Sequence, residues 1–221
     1  YECVFGDWSS DVCSSDLAAD AAMYEAKQNG RNQYRFASGD IGNSSRRRIE
    51  AENLLRRALE DGLLEVYYQP QVSLGSIVAG GEVTLAGAEA LIRIRDGDTV
   101  HPPSAFIEAA EESGLVIPMG GWILEQACRD ARSWTEAGYP LKVSVNVSQR
   151  QFENDTILEQ TERALEVSKL DPGQLTLEIT ESLLMKDTKR IQKSMNKLKS
   201  RGVQFAIDDF GTGYSSLKSI D

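Results

Sequence analysis

Five short runs rich in branched and aromatic residues punctuate this chain, near Glu65–Leu74, Gly87–Ile94, Lys142–Ser148, Leu175–Glu181 and Gln204–Asp209, and helical periodicity fills the gaps between them. One gap puts Ile123, Ala127, Ala131 and Trp134 on one helix face, and another does so with Ile191, Met195 and Leu198. Repeated strand–helix order leaves few architectures: a largely parallel sheet covered by helices, either doubly wound or closed into a barrel. No GxGxxG follows a strand, which removes the usual dinucleotide-binding reading. Sequence order alone does not choose between open sheet and barrel.

Side chains alternate faces along a strand. Val143, Val145 and Val147 therefore share one face, suited to helix cover, while Ser144, Asn146 and Ser148 share the other. The same parity sends Leu175, Leu177 and Ile179 outward and Thr176, Glu178 and Thr180 inward, and it groups Glu89, Leu91 and Arg93 opposite Ala88, Ala90 and Ile92. An acidic pair, Asp208-Asp209, closes the last run before a glycine-punctuated loop, Phe210-Gly211-Thr212-Gly213-Tyr214.

Barrels collect catalytic groups from the C-terminal ends of several strands. Glu89, Glu178, Asp208 and Asp209, with the amide oxygen of Asn146, are expected to converge at one mouth. Clustered carboxylates cannot all remain ionised without compensation, so either some are protonated or cations sit among them. Oxygen-only ligation selects hard cations, Mg²⁺ or Mn²⁺ before Ca²⁺, and a shared carboxylate could bridge two of them about 3.5–4 Å apart. Such a pair can activate a water for in-line attack on a phosphodiester. Taken singly, Asn146 reads as a strand-end cap, Glu178 as a surface charge and Arg93 as half of a salt bridge; their common parity at strand ends favours a site.

Charge narrows the partners. The 24 Lys and Arg against 34 Asp and Glu give a net charge of −10, which repels polyanions, so duplex nucleic acid is not an expected partner. The basic stretch Arg46-Arg47-Arg48 is followed by Glu50, Glu52, Arg56 and Arg57 at helical spacing and reads as a solvated helix face. Cys3, Cys13 and Cys128 form no CxxC pair and His101 is the only histidine, so zinc sites and disulfide frameworks lack raw material. Cys128, inside an amphipathic pattern, is expected in the core. No apolar run approaches the roughly 20 residues of a membrane span. A reducing cytoplasm is the expected location, with any membrane anchor of the parent protein lying in missing N-terminal regions.

The runs Tyr68-Gln69-Pro70, Ala88-Glu89-Ala90-Leu91-Ile92-Arg93, Val145-Asn146-Val147-Ser148, Glu178-Ile179-Thr180-Glu181 and Asp208-Asp209-Phe210-Gly211-Thr212-Gly213-Tyr214-Ser215-Ser216 closely resemble the EAL phosphodiesterases in order and spacing. The resemblance implies a modified TIM (β/α)₈ barrel and metal-dependent hydrolysis of cyclic di-GMP to linear pGpG, the reaction of a cyclic-guanylate-specific phosphodiesterase in second-messenger signalling. Carried over residue by residue, it makes Glu89, Asn146, Glu178 and Asp208 ligands of one Mg²⁺ or Mn²⁺, with Asp208 bridging to a second ion that Asp209 also binds. Glu181 becomes the tether of the DDFGTGYSS loop, and Gln69, Leu91 and Arg93 become substrate contacts, Arg93 pairing a phosphate through its fork of donors. A hairpin longer than the family's, with Ala79-Gly80-Gly81-Glu82-Val83 inserted, places a question on the substrate-side loop. Homodimerisation through the EAL domain and upstream sensory domains are further implied partners. The competing class is a catalytically inactive EAL domain acting as a cyclic di-GMP receptor or protein-interaction module; intact ligands favour the enzyme.

Neither end reads as a natural terminus, so a fragment is expected, truncated after about five of roughly eight barrel strands. The family's general-base lysine and a later Glu and Gln would lie beyond residue 221, leaving the parent protein active and these residues alone inactive. Residues 1–16 match no periodic template and resemble translated sequencing-adapter read-through. Residues 17–37 resemble the closing helix and strand of a diguanylate cyclase (GGDEF) domain, a short remnant of an α/β cyclase-like unit. Residues 38–45, SGDIGNSS, favour turns and mark the expected linker, followed by a helix from about Arg47 to Glu60 and an EAL domain over 46–221.

Overall fold

The computed structural model describes residues 39–73, 83–153, 155–180, 183 and 189–208. The expectations for residues 1–37 and for Glu181 and Asp209 lie outside the described residues. The chain divides into two compact units, Tyr1–Leu54 and Leu55–Asp221, and the division falls inside helix α1, Gly39–Asp61. That helix begins well before Arg47, so the backbone from Gly39 to Ser45, expected as turns, is helical. Ser, Asn and Gly each cost only about 0.5–1 kcal/mol in a helix, and extending a nucleated helix adds a backbone bond for each residue ordered. At its other end Gly62, with φ of 71°, stops the helix as Leu63 N–H donates to Ala58 O at 3.0 Å.

The second unit is an α/β fold on a mixed sheet. Strand β1 (Leu64–Val72) pairs antiparallel with β2 (Leu85–Asp96), with Leu64 opposite Ile94 and Gln69 opposite Glu89, and the register shifts between Gln71 and Val72. A turn with Gly97 at φ of 59° brings in β3 (Thr99–His101), a short antiparallel strand on β2 that the hydrophobic pattern did not signal. Helices α2 (Ile107–Ser113) and α3 (Val116–Glu136) lead to β4 (Lys142–Asn146); α4 (Gln149–Glu153) and α5 (Thr156–Ser168) lead to β5 (Leu175–Thr180); α6 (Lys189–Ser200) leads to β6 (Gln204–Asp208). The sheet order is β1-β2-β4-β5-β6, and every pairing from β2 to β6 along it is parallel.

The valine and leucine parity is observed. Ala88, Ala90, Ile92, Ile94, Val143, Val145, Leu175, Leu177 and Ile179 are all buried, together with Ile123, Leu124, Ala127 and Ala131 of α3 and Ile157 and Ala164 of α5. Helix α3 packs on β4, β1 and β2 and against α5. Cys128 belongs to this core, fully buried, and burial pushes its thiol up to about 12. Close packing at the start of α3 depends on glycine: a Cβ on Gly120 would lie 2.3 Å from Gln151 Nε2. Gln151, 1% exposed, donates to Gln160 Oε1 at 2.9 Å and accepts from Ser148 N–H at 3.1 Å, and Gln160 donates to Ile117 O at 2.8 Å. This buried chain of satisfied amides ties the turn after β4 to α3 and α5. Among the described residues, no helix is long and apolar enough to cross a membrane.

Candidate active site

Strand register decides which side chains can meet. Glu89 lies level with Gln69 on one side and Ser144 on the other; Asn146 lies level with Glu178, and Thr180 with Asp208. With alternate residues on one face, Gln69, Gln71, Glu89, Ser144, Asn146, Glu178 and Asp208 share the face opposite the helices. Strands β4 and β6 end at Asn146 and Asp208, whereas β2 continues past the end of its ladder with β4 at Ala90, so Leu91 and Arg93 stand beyond Glu89 at the mouth.

Two bonded groups tie this face together. Asn146 Nδ2 donates to Glu89 Oε1 at 2.7 Å. Gln71 Nε2 donates to Glu178 Oε1 at 3.4 Å, and Ser144 Oγ donates to Gln71 Oε1 at 3.4 Å. The Glu178 carboxyl is pushed above the usual carboxylate range, first by burial and next by the Glu89 charge; hydrogen bonds from Ser144 and Gln71 oppose the shift, and Asp208 adds to it. Gln69 and Asp208 are exposed and Leu91 is half-buried. Arg93 is half-buried, donates from Nη1 to Ile92 O at 2.8 Å and stands over the Tyr67 ring.

The structure thus brings Glu89, Asn146 and Glu178 together, with Asp208 near enough for its charge to act on Glu178. Gln71 and Ser144 were not anticipated as site residues. Their signal was present: Gln71 has the parity of Gln69, and Ser144 that of Asn146. The inserted hairpin raised a question about the substrate side, and the strand directions correct it. Its described ends, Ser73 and Thr84, paired through Ser73 N–H to Thr84 O at 3.0 Å, precede β2 and so stand at the opposite end of the sheet from Asn146, Thr180 and Asp208.

Among the described residues, no three acidic, histidine or cysteine side chains are drawn together as a finished metal cage. The donor chemistry nevertheless fits a hard cation. Glu89 is bonded by the Asn146 amide and Glu178 by the Gln71 amide, so neutral donors hold two carboxylates on one face, and burial followed by the Glu89 charge raises the Glu178 carboxyl.

The EAL domain family model matches residues 52–221. The chain is 40% identical over 203 residues to the signaling protein YkoW of Bacillus subtilis, covering 91% of this chain and 25% of that protein. It is 37% identical over 208 residues to the bifunctional diguanylate cyclase/cyclic di-GMP phosphodiesterase MucR of Pseudomonas aeruginosa, covering 91% and 29%. It is 34% identical over 212 residues to the cyclic di-GMP phosphodiesterase PdeR of Escherichia coli, covering 96% and 31%. The chain therefore spans about a quarter to a third of the length of these relatives. Among solved structures, the MucR phosphodiesterase in complex with cyclic di-GMP matches with a TM-score of 0.68 at 36% identity, over 76% of this chain and 66% of that one. The EAL enzyme Bd1971 in its cAMP- and cyclic di-GMP-bound form gives 0.69 at 32% identity, over 80% and 49%.

Proposed function

Because this chain belongs to the EAL domain family, we propose that the protein carrying it hydrolyses cyclic di-GMP to linear pGpG with Mg²⁺ or Mn²⁺. The observation that carries this reading is the shared inner face on which Glu89, Asn146 and Glu178 meet across adjacent parallel strands, with Asp208 ending the next one. These four residues would hold the cation, and Asp209 would join Asp208 at a second position. The bound ions would supply an activated water and charge stabilisation for the phosphodiester.

The chain's own residues have distinct tasks in this reading. The Asn146 amide holds the Glu89 carboxylate in place, and Gln71 with Ser144 orients that of Glu178. Gln69, Leu91 and Arg93 line the same face towards the mouth, where an anionic dinucleotide meets the Arg93 guanidinium. Glu181 would tether the loop after Asp209. Full closure into the (β/α)₈ barrel and the cyclase-like remnant over 17–37 belong to the same proposal.

The test measures pGpG release by the whole protein carrying this domain, with Mg²⁺, Mn²⁺, Ca²⁺ or excess chelator. Turnover is expected with Mg²⁺ or Mn²⁺, inhibition with Ca²⁺, and loss of turnover in Glu89→Gln. Full activity in excess chelator overturns the reading. Tight cyclic di-GMP binding without turnover in any metal marks a receptor instead.

A further inference from the structure

Register sets Glu65 directly opposite Arg93 across the β1–β2 ladder, and the two side chains share a face. An opposite-charge pair so placed is expected to bond. It does not. Glu65 Oε1 instead accepts from Arg95 Nε at 2.6 Å, diagonally across the ladder, and Arg95 Nη2 donates to the Tyr67 hydroxyl at 3.0 Å. Arg93 is left on the face of the same tyrosine, its Cζ 5.6 Å from the ring centroid.

Tyr67 thus separates two like charges, binding one guanidinium at its hydroxyl and the other at its ring. Arg95 and Glu65 neutralise each other. Arg93 keeps its positive charge, with a ring beneath it and a carbonyl, Ile92 O, fixing one of its donors. Leu91 is the Cα partner of Tyr67, so this arrangement lies beside the proposed substrate contacts.

We infer that Arg95 is a positioning residue for Arg93: by holding Glu65 and the Tyr67 hydroxyl, it keeps the carboxylate opposite Arg93 from neutralising it, and reserves the Arg93 charge for a substrate phosphate. This inference rests on Arg93 being the phosphate contact of the proposed function. Removing Arg95 releases Glu65 to its register partner.

The test compares the whole protein carrying this domain with its Arg95→Met, Glu65→Gln and double variants, by calorimetric titration with cyclic di-GMP in Ca²⁺ and by the ¹⁵N-resolved Nε–H resonance of Arg93. Arg95→Met is expected to weaken cyclic di-GMP binding about fivefold, the scale of one partly exposed ion pair, and to shift the Arg93 Nε–H signal as Glu65 bonds to it. Adding Glu65→Gln should restore both the affinity and the signal. Rescue separates this role from a structural one, because the double variant has lost the Glu65–Arg95 bond entirely. A double variant as weak as Arg95→Met alone overturns the inference, as does an unmoved Arg93 signal in Arg95→Met. If the whole wild-type protein does not bind cyclic di-GMP, the substrate assignment fails, and the Arg93 resonance still decides whether Glu65 changes partner.

Discussion

The Asn146 side-chain amide donates a 2.7 Å hydrogen bond to Glu89 Oε1, linking two neighbouring parallel strands through groups that both face away from the helices. A neutral donor here lets one carboxylate sit beside Glu178 without a fixed cation. Replacing it with a carboxylate turns a bond into a repulsion. Asn146→Asp should destabilise the metal-free chain by about 1 kcal/mol, the scale of like charges about 4 Å apart in a solvated site. Mn²⁺ should raise the melting temperature of the variant more than that of the wild type. Thermal unfolding in chelator and in Mn²⁺ checks this, and identical Mn²⁺ responses count against a cation site at this pair.

Glu178 sets a pH dependence whose sign follows from its raised carboxyl. The folded state holds that proton more tightly than the unfolded chain does. Stability of the metal-free chain is therefore fully present below the ordinary carboxylate range and falls as pH rises through the raised value. Glu178→Gln should flatten this slope and leave the variant more stable than wild type above that window. Denaturant unfolding in chelator at a series of pH values measures it; an unchanged slope would show that Glu178 does not carry the strain.

Tyr68 faces the other way from Gln69 and fastens the outer face of β1. Its hydroxyl donates to Asp130 Oδ2 at 2.5 Å, and its ring meets Trp134 edge to face, with centroids 4.7 Å apart. Tyr68→Phe should cost about 1.5 kcal/mol, the usual worth of a hydrogen bond to a charged group, while leaving Mn²⁺ binding unchanged. Urea unfolding beside a Mn²⁺ titration tests both halves.

Gly120→Ala should cost about 1–3 kcal/mol through overpacking, because the added methyl meets the buried Gln151 amide, which hydrogen bonds with Ser148 and Gln160 hold in place. Equilibrium unfolding checks the magnitude. A neutral substitution would mean that the amide chain can move aside at little cost.

The parallel core was legible because Val143, Val145, Leu175, Leu177 and Ile179 alternate with polar residues at the period that a one-sided strand demands. The same arithmetic set Glu89 opposite the alanines and turned Asn146 and Glu178 inward, whereas Asp208 was expected at the site only because its run ends there. It did not reveal β3, since three residues are too few to carry a period. The early start of α1 was hidden because turn-forming residues tolerate a helix that has already nucleated. The exchange of partners by Glu65 was hidden for a different reason: register pairs it with Arg93, and only the reach of Arg95 along the ladder decides otherwise.

Strand β1 runs against its neighbours, and so the chain enters and leaves the first hairpin at the end of the sheet remote from the carboxylates. Length added between Ser73 and Thr84 consequently leaves the Gln69–Glu89 register untouched. For an engineer, this is a port: an affinity tag or a fluorophore spliced there stands at the end of the sheet away from the carboxylates. For evolution, the same port lets the loop drift in length and composition under its own selection, while the chemistry at the opposite end stays still.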